Sequence, residues 1–292
     1  MCMRLVNFGS LNIDYTFQVE QIVRPGQTVH SIGEQQFPGG KGLNQSLAVA
    51  RAGGTIFHAG MIGADGLHLR TLLERDGVDC RFLQIVEGGT GKAFIQVDAS
   101  GQNCIVLSGG ANRKNTRAFS DQVLEYFAAG DMLLLQNEVS GIDYLVDRAW
   151  QKGMKVVLNP SPVNDAVLSC GLEKVGFFIM NEDEGRCITG CQTWEQTLNE
   201  MERRYPQAEV VLTLGPQGAV YAFRGVHLHQ EAFPVEAVDT TGAGDTFTGY
   251  LLARYIKGES VDVCLKWAAK AAATAVSRQG AASSIPRWEE LS

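Results

Sequence analysis

No run of lysine or arginine occurs in the 292 residues, no stretch approaches the roughly 18 apolar residues of a membrane span, and no low-complexity segment, repeat or linker divides the chain. Each absence removes a class. A formal charge of -7 without a basic run argues against nucleic acid or an anionic membrane as partner. Arg4 to Gly9 is too short for the apolar part of a signal peptide, so a soluble, cytoplasmic protein is expected. The seven cysteines (Cys2, Cys80, Cys104, Cys170, Cys187, Cys191, Cys264) are odd in number and scattered, which suits free thiols in a reducing compartment. Cys187 and Cys191, four apart on an expected helix, lack a second pair of ligands. His227 and His229 alternate in a strand-like stretch without a third ligand and read as surface residues. Two familiar glycine loops are missing too. No Lys-Ser/Thr follows Gly242-Ala243-Gly244, and Phe247 stands where a dinucleotide fingerprint needs its third glycine.

What is present is a chain with 45% apolar residues, enough for one enzyme-sized domain over residues 1–292. Apolar strands are expected at 4–8, 55–62, 78–85, 132–136, 155–158, 177–180 and 210–214, most of them separated by helix-length segments such as 67–75. Their nearly continuous apolar character suits strands covered on both faces, so the fold class is α/β, a parallel sheet flanked by helices. A hairpin of 91–97 and 103–107 breaks that rhythm.

Chemistry is expected where strands end and glycine loops begin helices. Glu138, Asn159, Asn181 with Glu184, and Thr213 with Gly215 all stand at the C-terminal ends of strands, where open parallel sheets place their ligand crevice. Thr241-Gly242-Ala243-Gly244 leads into an apolar-faced helix beginning near Asp245, and the amides there can converge on an anion. Asp245 is then placed to take a proton beside that anion, or else it only caps the helix. A second glycine loop, Gly39-Gly40-Lys41-Gly42, feeds a helix carrying Asn44 and suits a neutral hydroxylated ligand. Asn12 and Asp14, two apart on an extended segment, face one way and suit two neighbouring hydroxyls, although such residues also make turns. A cleft with a phosphate at one end and a polyol at the other follows.

Gly39-Gly40-Lys41-Gly42-Leu43-Asn44-Gln45 and Asp239-Thr240-Thr241-Gly242-Ala243-Gly244-Asp245 together resemble the two signatures of the ribokinase-like (PfkB) carbohydrate kinase family. The resemblance runs from Asn7 to Pro286 and takes in Asn12-Ile13-Asp14, Asn181-Glu182-Asp183-Glu184 and Thr213 to Gly218. It implies a three-layer α/β sandwich with a small β-sheet lid built from about 13–36 and 90–108, through which two subunits pair. It also implies ATP-dependent phosphorylation of the hydroxymethyl group of a free sugar, ribose or a close pentose. By that resemblance Asp245 is the catalytic base, and Gly242, Ala243 and Gly244 form the anion hole. Asn12, Asp14, Gly40, Lys41, Gly42, Asn44 and Glu138 contact the sugar. Asn181, Thr213, Gly215, Gly218 and Gly244 bind ATP. Glu184 serves magnesium through water, and Asp239, Thr241, Ala275, Arg278, Gly280 and Ser284 form a loop for a monovalent cation, potassium.

Three positions depart from the family pattern. Leu43 replaces an alanine, Asn137 precedes Glu138, and Ala269 stands where His or Asn often lies near adenine. A nucleoside kinase or sugar-acid kinase of the same family, a dinucleotide-dependent dehydrogenase and a non-catalytic sugar-binding regulator are the other readings. The dehydrogenase lacks its fingerprint, and a regulator would be expected to lack Asp245. Gly91 stands where kinases of phosphosugars tend to carry arginine, and Lys92 beside it should face away from the sugar.

Overall fold

The computed structural model describes residues 3–291, so Cys2 lies outside it. The chain opens with β1 (Leu5–Phe8), β2 (Asn12–Gln18) and β3 (Gly33–Gly39), followed by α1 (Lys41–Arg51) and β4 (Ile56–Ile62). Next come α2 (Leu67–Arg75), β5 (Asp79–Ile85) and a hairpin of β6 (Gly91–Val97) and β7 (Asn103–Ser108). Alternation then sets in with α3 (Arg117–Glu125), β8 (Met132–Gln136), α4 (Ile142–Gln151), β9 (Lys155–Asn159), α5 (Asp165–Leu168) and β10 (Phe177–Asn181). The second half holds α6 (Glu182–Thr189), α7 (Trp194–Arg204), β11 (Glu209–Thr213), β12 (Ala219–Phe223), β13 (Val226–Gln230), α8 (Ala243–Tyr255) and α9 (Val261–Val276).

Nine strands form one sheet in the order β13-β12-β11-β10-β9-β8-β1-β4-β5. Alternate residues of its strands feed two separate cores. Leu5, Leu134 and Ile179 pack with the apolar faces of α1, α2, α8 and α9, while Val6, Leu133 and Phe178 pack with those of α3 to α7. That division is the three-layer sandwich. β2, β3, β6 and β7 form a separate sheet in the order β3-β2-β6-β7, with residues 19–32 outside its strands. No helix among the described residues is long and apolar enough to cross a membrane.

Three expectations need correction. The large sheet is not wholly parallel, because β12 and β13 join antiparallel at one edge. Arg224 and Gly225 both have positive φ (49° and 77°), and a two-residue turn of that hand closes a hairpin. α8 does not carry a single apolar face: residues 245–254 are all buried because the helix lies between α1 and α9. Cys187 and Cys191 do not share a helix, since Gly190 ends α6 in a left-handed cap between them. His227 and His229 lie exposed on β13 as expected, bonded to Glu202 (2.8 Å) and to the Gln217 carbonyl (3.0 Å).

Candidate active site

The helices differ in how their first turns are capped. Thr116 caps α3, and reciprocal capping boxes join Asn181 with Glu184 on α6 and Thr193 with Gln196 on α7. α1 and α8 instead begin at Gly40 and Gly242 and have no side-chain cap. At α1 the early amides still find partners. Lys41 N–H donates to Glu138 (3.1 Å), Gly42 N–H to the Ser10 hydroxyl (3.3 Å) and Leu43 N–H to the Ser10 carbonyl (2.9 Å). At α8 the first intrahelical bond is Thr246 N–H to Gly242 O (2.8 Å), and Ala243 N–H closes a turn onto Thr240 O (3.2 Å). The amides of Gly244 and Asp245 have no carbonyl one turn back, and both residues line the cleft at the positive end of the helix.

The two helices are bound tightly to each other. Gly249 sits against Ala48, where any Cβ would overlap the Ala48 methyl, and this contact carries Asp245 to the start of α1. Its carboxylate is buried and accepts from Asn44 Nδ2 and Gln45 Nε2, each at 2.9 Å. Lys41 lines the same cleft. The Asp245 charge raises the Lys41 pKa against the effect of burial, with Glu138 and Glu184 adding to it.

Beyond α1 lies a polar cluster of a different kind. Asn12 and Asp14 project from β2; Asn12 Oδ1 accepts from Asn112 Nδ2 at 2.8 Å, and Asn112 also bonds both backbone groups of Leu11 (3.1 and 3.2 Å). The Asp14 carboxylate lies over Gly39. Burial first, and then the Glu138 charge, push Asp14 up to about 7. Glu138 accepts from the Ser10 hydroxyl. Asp14 Oδ1 and Asn44 Oδ1 are buried acceptors without a protein partner, each costing about 1–3 kcal/mol unless a ligand donates to it. Such acceptors suit hydroxyl groups.

On the other side of Asp245 the cleft widens to a polar cavity of about 470 Å³ lined by Asn181, Glu184, Arg186 and Thr240 among others. It runs through Thr213, Gly215, Thr240 and Gly244 into an apolar slot of about 570 Å³. Phe233, Val235, Phe247, Ala269, Ala272 and Val276 wall this slot. The alanines leave room for a flat ring, so Ala269 contributes space where the family often has a polar side chain. Gly218 stands at the edge with φ of 94°.

The segments near 239 and 280 meet through one carboxylate. Asp239 accepts from Thr241 N–H and Gly280 N–H, both at 2.9 Å. Burial works against its charge, but these bonds and the Thr241 hydroxyl outweigh it and hold the carboxyl below its ordinary range. Ser284 is buried and donates to Ala281 O (2.8 Å), whereas the Arg278 side chain turns outward to Glu290 (2.6 Å). Ala275 is buried at the end of α9.

Of the three departures, Leu43 points into the core and Asn137 ties down the next loop through Pro162 O (2.6 Å) and Asn164 (2.8 Å). Lys92 Nζ lies 3.7 Å from Asp65 and 5.9 Å from the Tyr15 ring centre, turned away from Asn12 and Asp14. Sequence reasoning missed Ser10, Gln45, Asn112 and Gln136. Gln45 stands inside the first glycine signature and was within reach; Asn112 and Gln136 carry no local signal.

The model of the pfkB family of carbohydrate kinases matches residues 3–288. Ribokinase of Haemophilus influenzae is 34% identical over 98% of this chain and 96% of its own. The crystal structure of ribokinase from Cryptococcus neoformans in complex with ADP superposes with a TM-score of 0.85 at 33% identity, covering 99% and 98% of the two chains. Ribokinase of Arabidopsis thaliana, solved with ribose and ATP, gives 0.88 at 29% identity over 100% and 98%.

Proposed function

The chain belongs to the pfkB family of carbohydrate kinases and is a sugar kinase, and from that premise we propose that it phosphorylates the hydroxymethyl group of free D-ribose with ATP, giving ribose 5-phosphate. The carrying observation is the place of Asp245: orphan hydroxyl acceptors on one side, open amides and a polar cavity on the other.

Asn12, Asp14, Asn44 and Glu138, with Gly40, Lys41 and Gly42 behind them, hold the sugar so that its hydroxymethyl oxygen meets Asp245. That carboxylate takes the hydroxyl proton while the oxygen bonds to the terminal phosphorus and the bond to the departing ADP oxygen breaks. Gly242, Ala243 and Gly244 form the oxyanion hole, with the free Gly244 and Asp245 amides aimed at the transferring group. Ala243 N–H contributes by leaving its turn partner Thr240. Asn181, Thr213, Gly215 and Gly218 line the way to the apolar slot, which suits adenine.

Glu184, a hard oxygen donor on the cavity wall, suits magnesium. Glu184 would hold the ion through water, and the ion would neutralise phosphate charge. Oxygens of Asp239, Thr241, Ala275, Arg278, Gly280 and Ser284 would hold potassium, a reading supported by the Asp239 carboxylate joining the segments at 241 and 280. Its charge would steady the α8 loop.

The whole chain is proposed as one domain with the four-stranded sheet as lid over the sugar. The exposed Phe94, Ile105, Val106 and Leu107 on that sheet support pairing of two copies there. Free described cysteines suit a cytoplasmic setting.

A neutral acceptor is favoured over a phosphorylated one. A doubly charged group needs cationic partners, yet Lys92 is engaged elsewhere and a side chain at Gly91 would collide with Asn12 and Asn112. A coupled ADP-release assay over pentoses, hexoses, sugar acids, phosphosugars and nucleosides tests the proposal. The highest kcat/KM is expected with ribose. A clear preference for a nucleoside, sugar acid or fructose 6-phosphate overturns the acceptor, and no turnover with any of them favours a regulator.

A further inference from the structure

Behind Asp245 runs a chain of buried side-chain amides that the reaction as described does not use. Gln45 gives one N–H to Asp245 Oδ1 (2.9 Å) and one to Asn159 Oδ1 (3.1 Å), and Asn159 is itself fixed by donating to Ile179 O (2.9 Å). Gln45 Oε1 accepts from Gln136 Nε2 at 2.7 Å. The same Gln136 nitrogen donates to Asn7 Oδ1 (3.0 Å), and Asn7 donates onward to Gly42 O and to Ser46 Oγ, both at 2.9 Å. Ser46 Oγ lies 2.8 Å from His58 Nδ1 on β4. Gln45, Gln136, Asn7, Ser46 and His58 are all fully buried.

The order of donors is not free. An ionised carboxylate only accepts, so Gln45 must show it nitrogen and turn oxygen to the rear; Gln136 must then donate forward. Gln136 gives nitrogen on both sides and leaves its own Oε1 buried without a partner. That orphan costs stability and makes little sense as packing, but it is what an arrangement answering to Asp245 demands.

We propose that Gln45, backed by Gln136, is a positioning residue that fixes the rotamer of the Asp245 carboxylate so that its proton-accepting oxygen meets the sugar hydroxyl. The inference rests on the kinase reading with Asp245 as base. A displacement of about 1 Å can cost on the order of a hundredfold in rate, so a rigid amide behind the base is a plain means of keeping kcat.

Two variants and their combination test this at saturating ribose and ATP, with melting temperature recorded at each pH. Gln45→Met is expected to lower kcat ten- to a hundredfold, in the range such misplacement costs, with both KM values nearly unchanged. Gln136→Glu, nearly isosteric, is expected to lose kcat as pH rises and its new carboxyl stops donating. His58 does not confuse this profile, since burial pushes its ring down to about 4. Asp14, pushed up to about 7, acts on ribose binding and is removed by saturation. In the double variant the pH effect is expected to vanish, because position 136 reaches Asp245 only through Gln45. If Gln136→Glu does not fold, Gln136→Met replaces it, with a kcat loss that disappears in the Gln45→Met background.

Wild-type kcat in folded Gln45→Met, a kcat loss that only follows the unfolded fraction, or full additivity of the two substitutions overturns the inference. A wild-type protein that does not phosphorylate ribose defeats the functional reading instead.

Discussion

The starts of α1 and α8 look alike in the sequence: glycines, no capping side chain, then a buried helix. The structure treats them oppositely. α1 spends its first amides inside the protein, on Glu138 and Ser10, and offers the ligand side chains such as Asn44. α8 keeps the Gly244 and Asp245 amides open and offers the ligand backbone and a carboxylate. A helix start whose amides are satisfied can hold a neutral polyol without drawing in phosphate. One left unsatisfied draws the anion. In the proposed reaction the two ends are kept apart by which amides are already bonded, more than by the glycines.

The sharpest break in that comparison is Asp245→Asn. It is expected to lower kcat by about two to four orders of magnitude, the usual contribution of a general base, while ribose and ATP binding measured by calorimetry stay close to wild type. Turnover within a few-fold of wild type would falsify the base assignment. At the other helix start, Glu138→Gln removes a charged acceptor from the Lys41 amide and is expected to raise the ribose KM about 10- to 100-fold, from roughly 1.5–3 kcal/mol, with kcat largely kept. If instead kcat collapses and KM holds, the two starts do not divide the work as described.

A smaller effect comes from Asp14. Its carboxyl, pushed up to about 7 by burial and Glu138, is largely protonated at pH 6 and ionised at pH 8. Ribose hydroxyls donate to the ionised form, so binding releases a proton and tightens as pH rises, by up to about tenfold between pH 6 and 8, then levels off. Asp14→Asn is expected to abolish that slope; a Kd for ribose independent of pH in the wild type counts against the contact. The smallest expected effect is at the cation loop. Replacing potassium by a bulky organic cation should lower kcat severalfold and leave Asp239→Ala indifferent to the exchange. Undiminished wild-type turnover without potassium or sodium removes the cation.

The regular part of this molecule was legible because its strands are short apolar runs, and most expected limits fall within one residue of those seen. β12 was not, since Gly215 to Gly218 reads as a ligand loop, and β13 showed only in the alternation of His227 and His229, the Arg224-Gly225 turn being too brief to announce a hairpin. β3 was illegible from pattern because Gly33–Gly39 is mostly exposed and carries no alternation. At the site, the glycine signatures pointed to Asp245, Asn44 and the proposed sugar contacts. They were silent on Gln136 and Asn112, whose partners lie about a hundred residues away and whose value is set only by folding. Asn181 with Glu184 was read as a site motif, and the structure shows the pair closing a capping box.

Gly249, pressed against Ala48, has a consequence for how such a protein changes over generations. The joint welds the helix that carries Asn44 to the helix that carries Asp245, so their spacing is inherited as a single dimension. With the four-stranded sheet as the proposed lid, mutations there can reshape which acceptor is admitted while that dimension stays constant. New preferences are explored at the doorway, and the hearth is left as it was.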